Sequence, residues 1–320
     1  MTAEILDFEK NNYLQHCRGI RNLSPNSLAA YEQDIDCFIR FRHEYQRDTK
    51  LNDLLVVAYL NYLRETRRHQ QSTIRRRMVT LRAYCKWLQK QQKTNDDPFV
   101  GLELDLRPPK RLPRPVDRVD VRTLLAYRRD MDRFDGARAA MGTERLRAEA
   151  RTTVLAIKLM VSTGVRVGEL TRIKLPSISN DGCRIRIQGK GNRERNVYVG
   201  NPDLRAELQW IKLEASQNPH DGDYLLLNQH LRRLSEQALR RRLRILSGEC
   251  KLDTRITPHR FRHSAATFLI EEGVDIRFVQ RLLGHSSIAT TEIYTRVSDN
   301  ALMQAINTSD PLGKLLSKFT

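Results

Sequence analysis

A mainly α-helical chain of two domains, carrying one small antiparallel β-sheet, is the architecture this sequence predicts. Three observations point to it. Apolar residues recur at helical spacing through much of the stretch up to about Lys93. Five of the eleven prolines then fall between Asp96 and Val116 and break that pattern. Further on, Ile178–Val199 is the clearest segment to alternate with a period of two. At 320 residues the chain is long enough for two separate hydrophobic cores.

The N-terminal helices follow from local signals. Leu23-Ser24-Pro25 supplies a cap and a proline at the first helical position, and the run Asn26–His43 follows. Leu28, Tyr31, Ile35, Phe38, Ile39 and Arg42 share the helical spacing, and the first five form an apolar stripe. Leu54–Leu63 gives a second helix. Ser72 is placed to cap a third, whose buried stripe is Ile74, Met78, Leu81, Tyr84, Cys85 and Leu88. Arg75, Arg76, Arg77 and Arg82 lie around the rest of it, facing either solvent or a polyanion.

Pro108-Pro109 and Pro113 favour an extended, stiff stretch of chain, and the domain boundary is placed there. Val121, Leu124 and Leu125 suggest a short helix beyond it. Arg128–Arg147 is charged, weakly patterned and assigned no function. Ala150–Ser162 is helical, with Leu155 and Leu159 buried and Gly164 as the stop. Arg166 and Glu169 are then three residues apart, on one side of a following helix. By itself such a pair reads as a surface ion pair worth about 0.3–0.5 kcal/mol.

In the alternating segment Cys183, Ile185 and Ile187 face one way and Arg184, Arg186 and Gln188 the other. Gly189-Lys190-Gly191-Asn192 turns, and Val197 and Val199 return. Lys190 therefore sits at a hairpin tip, where a lysine is ordinarily just solvated. Ser235 caps a further helix, with Leu234 and Leu239 as a hydrophobic staple and Leu239, Leu243 and Leu246 as its stripe. Arg240, Arg241 and Arg244 occupy its other faces, suited to a phosphate backbone or to solvent.

Charge narrows the partner class. Lysine and arginine number 56 against 38 acidic residues, a net charge of +18, so a polyanion is expected. Five scattered cysteines without a C-x-x-C pair suit reduced thiols. With neither a signal-peptide pattern nor an apolar run of membrane-spanning length, a soluble cytoplasmic protein is expected, without a membrane partner.

The stretch Thr257–Val297 carries the chemistry. Thr257 caps a helix that starts at Pro258 and stops at Gly273; Asp275 caps a second, which stops at Gly284. Phe261, Ala265, Phe268 and Leu269 turn toward a core. His259 and Arg262 share another face near the helix N-terminus, a natural anion site. His285 follows the second glycine stop and Tyr294 comes nine residues later. A tyrosine near Arg, His and a helix N-terminus is placed to attack a phosphodiester.

H-x-x-R-H at His259–His263, L-G-H at Leu283–His285 and the run Thr290–Tyr294 together resemble the tyrosine recombinase, or phage integrase, family. The family's usual first motif is H-x-L-R-H, and Phe261 stands at its Leu position, an apolar-for-apolar change. Thr163–Leu170, T-G-V-R-V-G-E-L, is similar to the box carrying the family's first catalytic arginine, and G-K-G-N-R-E-R to its hairpin turn. Upstream, S-P-N-S-L-A-A-Y-E-Q-D and T-I-R-R-R-M-V-T-L-R-A-Y are similar to the first and last main helices of its N-terminal domain, in a simple, Xer-like build with no further arm-binding domain ahead of it.

The resemblance implies a helical core-binding, SAM-like domain over residues 1–107 that clamps one face of the duplex. A linker follows at 108–116, then an α+β catalytic domain at 117–298. The tail 299–320 would dock on a neighbouring protomer, its apolar residues having no obvious partner in cis. Tyr294 would be the nucleophile, forming a 3′-phosphotyrosyl link. Arg166, Arg262 and His285 would stabilise the pentacoordinate phosphorus. Lys190 would protonate the 5′-oxygen, His259 would assist proton transfer at Tyr294, and Glu169 would orient the cluster from behind. His263 is read as structural. Arg75, Arg76, Arg240, Arg241 and Arg244 are the expected further DNA contacts.

The partners implied are double-stranded DNA and three more copies, as a homo-tetramer on two sites, with room for an accessory protein or a partner recombinase. No cofactor and no metal is required, because the covalent link conserves the bond energy. Three rival readings stand beside this one. His259 and His263 have zinc-pair spacing with His285 as a third ligand, but Arg260 replaces the zincin glutamate. A non-catalytic DNA-binding regulator and a type IB topoisomerase-like enzyme share the charge and the helices.

Overall fold

The structure, a computed structural model of the chain, describes residues 3–45, 50–104, 115–133, 141–189, 194–217, 223–284 and 299–317. The chain divides into two compact units, Met1–Arg111 and Leu112–Thr320. Among the described residues no helix is long and apolar enough to cross a membrane.

The first unit is helical. Helices α1 (Ala3–Gly19), α2 (Pro25–Tyr45), α3 (Asp53–Asn61) and α4 (Gln71–Lys90) enclose its core, and α3 runs on into a π-helical stretch, Tyr62–Thr66. The expected stripes are buried: Ile35, Phe38 and Ile39 of α2 meet Ile74, Met78, Leu81, Tyr84 and Leu88 of α4. Ser24 caps α2 through the Ser27 N–H at 3.3 Å. The Ser72 cap is corrected, because α4 starts earlier, with Gln70 in extended conformation before it. Arg42, the last member of the α2 spacing, is fully buried. The polar contact between α2 and α4 is also internal. Buried Asp34 accepts Arg76 Nη1 at 2.7 Å and Thr80 Oγ1 at 3.0 Å. Arg76 is thus anchored to its own unit as well as half open to solvent, while Arg75 beside it is exposed.

The second unit is built on one long helix. Helix α6 (Met141–Thr163) packs against α5 (Arg118–Arg133) and α10 (Pro258–Glu271). Val154–Val161 of α6 is buried almost all round, with only Lys158 partly exposed, as expected of a helix enclosed by neighbours. The helix inferred from Val121, Leu124 and Leu125 is real but longer, reaching Arg133. The charged stretch 128–147 joins helices at both ends, and residues 134–140 lie outside the described part.

The hairpin is β1 (Arg184–Gln188) and β2 (Glu194–Tyr198), antiparallel, with Ile185 opposite Val197 and Ile187 opposite Arg195. Helices α8 (Pro202–Gln217) and α9 (Glu236–Glu249) follow. Ser235 caps α9 through the Ala238 N–H, and its Leu239–Leu243–Leu246 stripe is buried.

The short helix α7 (Val167–Leu170) follows α6, and α11 (Ile276–Leu283) follows α10; both are at the site described below. Helices α12 (Asp299–Ser309) and α13 (Pro311–Leu316) close the chain. Here an expectation is corrected: the tail's apolar residues do have a partner in cis. Ile306, Leu312 and Leu315 are buried in this unit's own core. Arg122 Nε donates to the Leu315 carbonyl at 3.0 Å, and Asn201 Nδ2 to Asp310 at 3.2 Å. Pro311 starts a last helix turn capped by Asp310, which sequence periodicity over so short a run does not reveal.

Two outcomes follow from this packing. Gly164 sits at φ +61°, and a Cβ there would lie 2.4 Å from Leu283 Cδ2, whereas one on Gly248 would meet open space. Gly164→Ala should lower the melting temperature by several degrees, since the left-handed region alone costs about 1–2 kcal/mol. Gly248→Ala should leave it unchanged or raise it slightly. Equal effects in a thermal melt would contradict the close approach. Truncation before Asp299 should lower the melting temperature further, by exposing the core; an unchanged melt would show that the tail contributes nothing in cis.

Candidate active site

The site forms where α6 ends, α10 begins and α11 ends. Gly164 stops α6, and Arg166 is the extended N-cap residue of α7, not a member of a longer helix with Glu169. Thr257 caps α10 by accepting the Arg260 N–H, Pro258 takes the first helical position, and Asp275 caps α11 by accepting the Arg277 N–H. Gly284 closes α11 in the left-handed conformation at φ +63°. The Thr257, Asp275 and Gly284 signals are legible in the sequence.

A helix end leaves carbonyls unpaired and carries partial negative charge. At α11 those carbonyls meet three guanidinium groups. Arg195 Nε donates to Leu282 O at 3.1 Å, Arg262 Nη2 to Leu283 O at 2.5 Å, and Arg166 Nη2 to Gly284 O at 3.3 Å. Arg262 also donates to Gly164 O at 2.7 Å, tying the turn after α6 to the end of α11. The next residue in the chain is His285.

Glu169 offsets this concentration of charge. The residue is 4% exposed, and its carboxylate accepts the Arg166 N–H at 2.9 Å and Arg166 Nη1 at 3.1 Å. Arg195 completes it with two parallel bonds, Nη1 to Oε1 at 2.9 Å and Nη2 to Oε2 at 2.8 Å. Burial works to raise the Glu169 pKa, but the Arg195 and Arg166 hydrogen bonds outweigh it and bring the pKa to about 2. Burial, with Arg166 nearby, lowers Arg262 to about 10, so it stays charged at neutral pH. The reading of Arg166 and Glu169 as a surface ion pair is therefore replaced by a buried, shared carboxylate.

Beside this cluster lies a cleft of about 480 Å³, lined by Arg166, Arg240, Arg244, Arg255, His259 and Arg262 among others. Among the described residues, no acidic one lines it. Arg240 and Arg244 are exposed one turn apart on α9, with Arg240 Nη2 also 2.8 Å from Glu236. Arg241 is exposed but not part of the lining, and Arg242 turns to Glu149. His259 Nε2 lies 3.2 Å from His263 Nε2, so one ring carries the shared proton and the other accepts it. Arg260, despite its place in the motif, is occupied by the Arg255 and Pro115 carbonyls at 2.8 Å each.

Of the predicted site residues, the structure brings together Arg166, Glu169, His259, Arg262, Arg240 and Arg244. Lys190, His285 and Tyr294 lie outside the described residues. Arg255 and Arg195 were not anticipated. For Arg195 a signal existed: the inward alternation of Val199 and Val197 continues to residue 195, and an inward arginine calls for a buried carboxylate. Among the described residues no group of three or more His, Cys, Asp or Glu is placed to share a metal ion.

This arrangement of arginines and a helix N-terminus can hold a phosphate and stabilise charge developing on it. The comparisons with known proteins agree. Residues 135–301 match the model of the phage integrase family, and residues 11–92 the phage integrase N-terminal SAM-like domain. The tyrosine recombinase XerD of Halalkalibacterium halodurans is 32% identical over 300 residues, covering 90% of this chain and 94% of the relative. Among solved structures, the XerH site-specific recombinase bound to palindromic difH substrate, in a post-cleavage complex, matches with a TM-score of 0.65 and 20% identity. That match covers 97% of this chain and 84% of the neighbour. A lambda integrase tetramer bound to a Holliday junction matches with a TM-score of 0.65 and 17% identity, over 90% and 76% of the two chains. Both neighbours have the same mainly helical fold. With its arginines, its buried glutamate and both family domains in place, the chain belongs to the phage integrase family and is a tyrosine-type site-specific recombinase.

Proposed function

We propose that this chain cuts and rejoins double-stranded DNA through a 3′-phosphotyrosyl link at Tyr294. The observation that carries the proposal is the convergence of Arg166 and Arg262 on the end of α11, directly before His285, with His259 lining the same cleft. The tyrosine oxygen attacks the scissile phosphorus and the bond to the 5′-oxygen breaks. Arg166, Arg262 and His285 balance the second negative charge that the pentacoordinate phosphorus gains. Lys190 gives its proton to the departing 5′-oxygen, and His259 assists removal of the tyrosine proton, whose ordinary pKa is about 10. Attack by a 5′-hydroxyl from another strand reverses these steps and rejoins the DNA. No bond energy leaves the system, so ATP takes no part, and the cationic side chains balance the charge that a metal ion would otherwise carry.

Arg240, Arg241 and Arg244 on α9 contact the DNA backbone near the cut, while Arg75 and the half-open Arg76 do so from the first unit. In this reading residues 1–107 form the core-binding domain, 108–116 the linker and 117–298 the catalytic domain. Exchange between two duplexes needs four protomers with two active at a time, and the tetrameric lambda integrase neighbour supports that count.

The role of Lys190 has a direct test. With EDTA in excess, Lys190→Ala should slow cleavage of an ordinary duplex by about 10²–10⁴-fold. A 5′-bridging phosphorothioate at the cut site should restore much of the rate, because sulfur leaves without a proton. If the sulfur substrate gives no relative rescue, Lys190 is not the general acid. Cleavage that stops on chelation and returns with zinc or magnesium would contradict the metal-free chemistry.

A further inference from the structure

The three arginines at the end of α11 are not equivalent. The Arg166 side chain is 47% exposed and lines the cleft, and buried Arg262 lines it too. Arg195 is 17% exposed and is not part of the lining. All three of its nitrogens are engaged within the protein: Nη1 and Nη2 with Glu169, and Nε with Leu282 O. Its charge therefore acts on Glu169 and not directly on a ligand.

The balance of charge shows what that achieves. Arg166, Arg195 and Arg262 contribute three positive charges and Glu169 one negative, leaving +2. A phosphodiester brings one negative charge and gains a second as phosphorus becomes pentacoordinate. Without Arg195 the same site would hold +1, and Glu169 would act on Arg166 alone. Arg166 is the group most exposed to that change, because only one side-chain bond, Nη1 to Oε1, joins it to the carboxylate.

We infer that Arg195 is a positioning residue for the phosphate site: by neutralising Glu169 it leaves the full charge of Arg166 and Arg262 available to the scissile phosphate. The inference rests on the proposed function, and goes beyond it in assigning a role to a residue whose guanidinium nitrogens are all held within the protein. A merely structural role, pinning β2 to α11, is the competing explanation. The two differ in one respect. Removing both Arg195 and Glu169 restores the charge to +2 but leaves the strand unpinned.

The test compares Arg195→Met, Arg195→Lys and the double variant Arg195→Met/Glu169→Gln in the full chain. Two readouts are used: the rate of covalent adduct formation on a nicked duplex, and the affinity for orthovanadate followed by vanadium NMR. Arg195→Met should lower both by about ten-fold or more, the effect of one charge near the site. Arg195→Lys keeps the charge without the two-pronged geometry and should lie between it and the wild type. The double variant should recover most of the loss. A double variant no better than Arg195→Met would overturn the inference in favour of the structural role. Should Arg195→Met not fold, Arg195→Lys against wild type decides: with the charge kept, less than a ten-fold loss of vanadate affinity is expected, and a full ten-fold loss contradicts the inference. Wild-type protein that forms no adduct would defeat the proposed function, while the order of vanadate affinities still decides the role of Arg195.

Discussion

A buried carboxylate shared by two arginines holds this site together. Glu169 receives a backbone N–H and a guanidinium from Arg166 and a two-pronged guanidinium from Arg195, so one side chain joins the turn after α6 to a hairpin strand. Arg195 carries the connection on to the end of α11 through Leu282 O. Burying a lone carboxylate is costly, and the same hydrogen bonds that offset that cost fix the geometry. With a folded pKa of about 2 against an ordinary 4.5, Glu169 is ionised throughout the neutral range. Its contribution to stability is present above pH 4.5 and is lost as pH falls from there toward 2.

The arginines meet the helix end through two glycines. Gly164 lets the turn after α6 approach Leu283, and Gly284 ends α11 where a side chain would press on Arg195 at about 3.2 Å. Backbone carbonyls, which cannot titrate, thus orient Arg166, Arg195 and Arg262. This arginine cluster is held in place before any substrate arrives. Preorganised charge of this kind is what a reaction passing through a doubly charged phosphorus needs.

Much of this was legible in the sequence, and the parts that were not have physical reasons. Caps and stops, such as Thr257-Pro258, Asp275, Ser235 and Gly284, depend on residues within one turn of each other and could be read directly. Buried stripes in α2, α4 and α9 follow from spacing alone. The pairing of Glu169 with Arg195 spans 26 residues, with a 3-10 turn and all of β1 between them, so no local pattern contains it. Its outcome, a buried carboxylate, differs from the surface pair that helical spacing suggests. The cover in cis for the tail's apolar residues was missed for a related reason: the surface that buries Ile306, Leu312 and Leu315 is contributed by distant segments. Ser72 shows the smaller error typical of helix starts, where a helix begins a residue or two away from the best capping side chain.

Tyr294 gives the recombinase reading its chemistry, and mapping the covalent protein–DNA adduct tests it most directly. On a nicked suicide duplex, the 5′ fragment needed for religation diffuses away and the adduct accumulates. Proteolysis and mass spectrometry should find the DNA on the peptide containing Tyr294, joined through its 3′-phosphate, with a free 5′-hydroxyl on the released fragment. Tyr294→Phe should bind the duplex as the wild type does and form no adduct. An adduct on Tyr198, Tyr224 or any other residue, or one that persists in the Phe variant, would contradict the assignment.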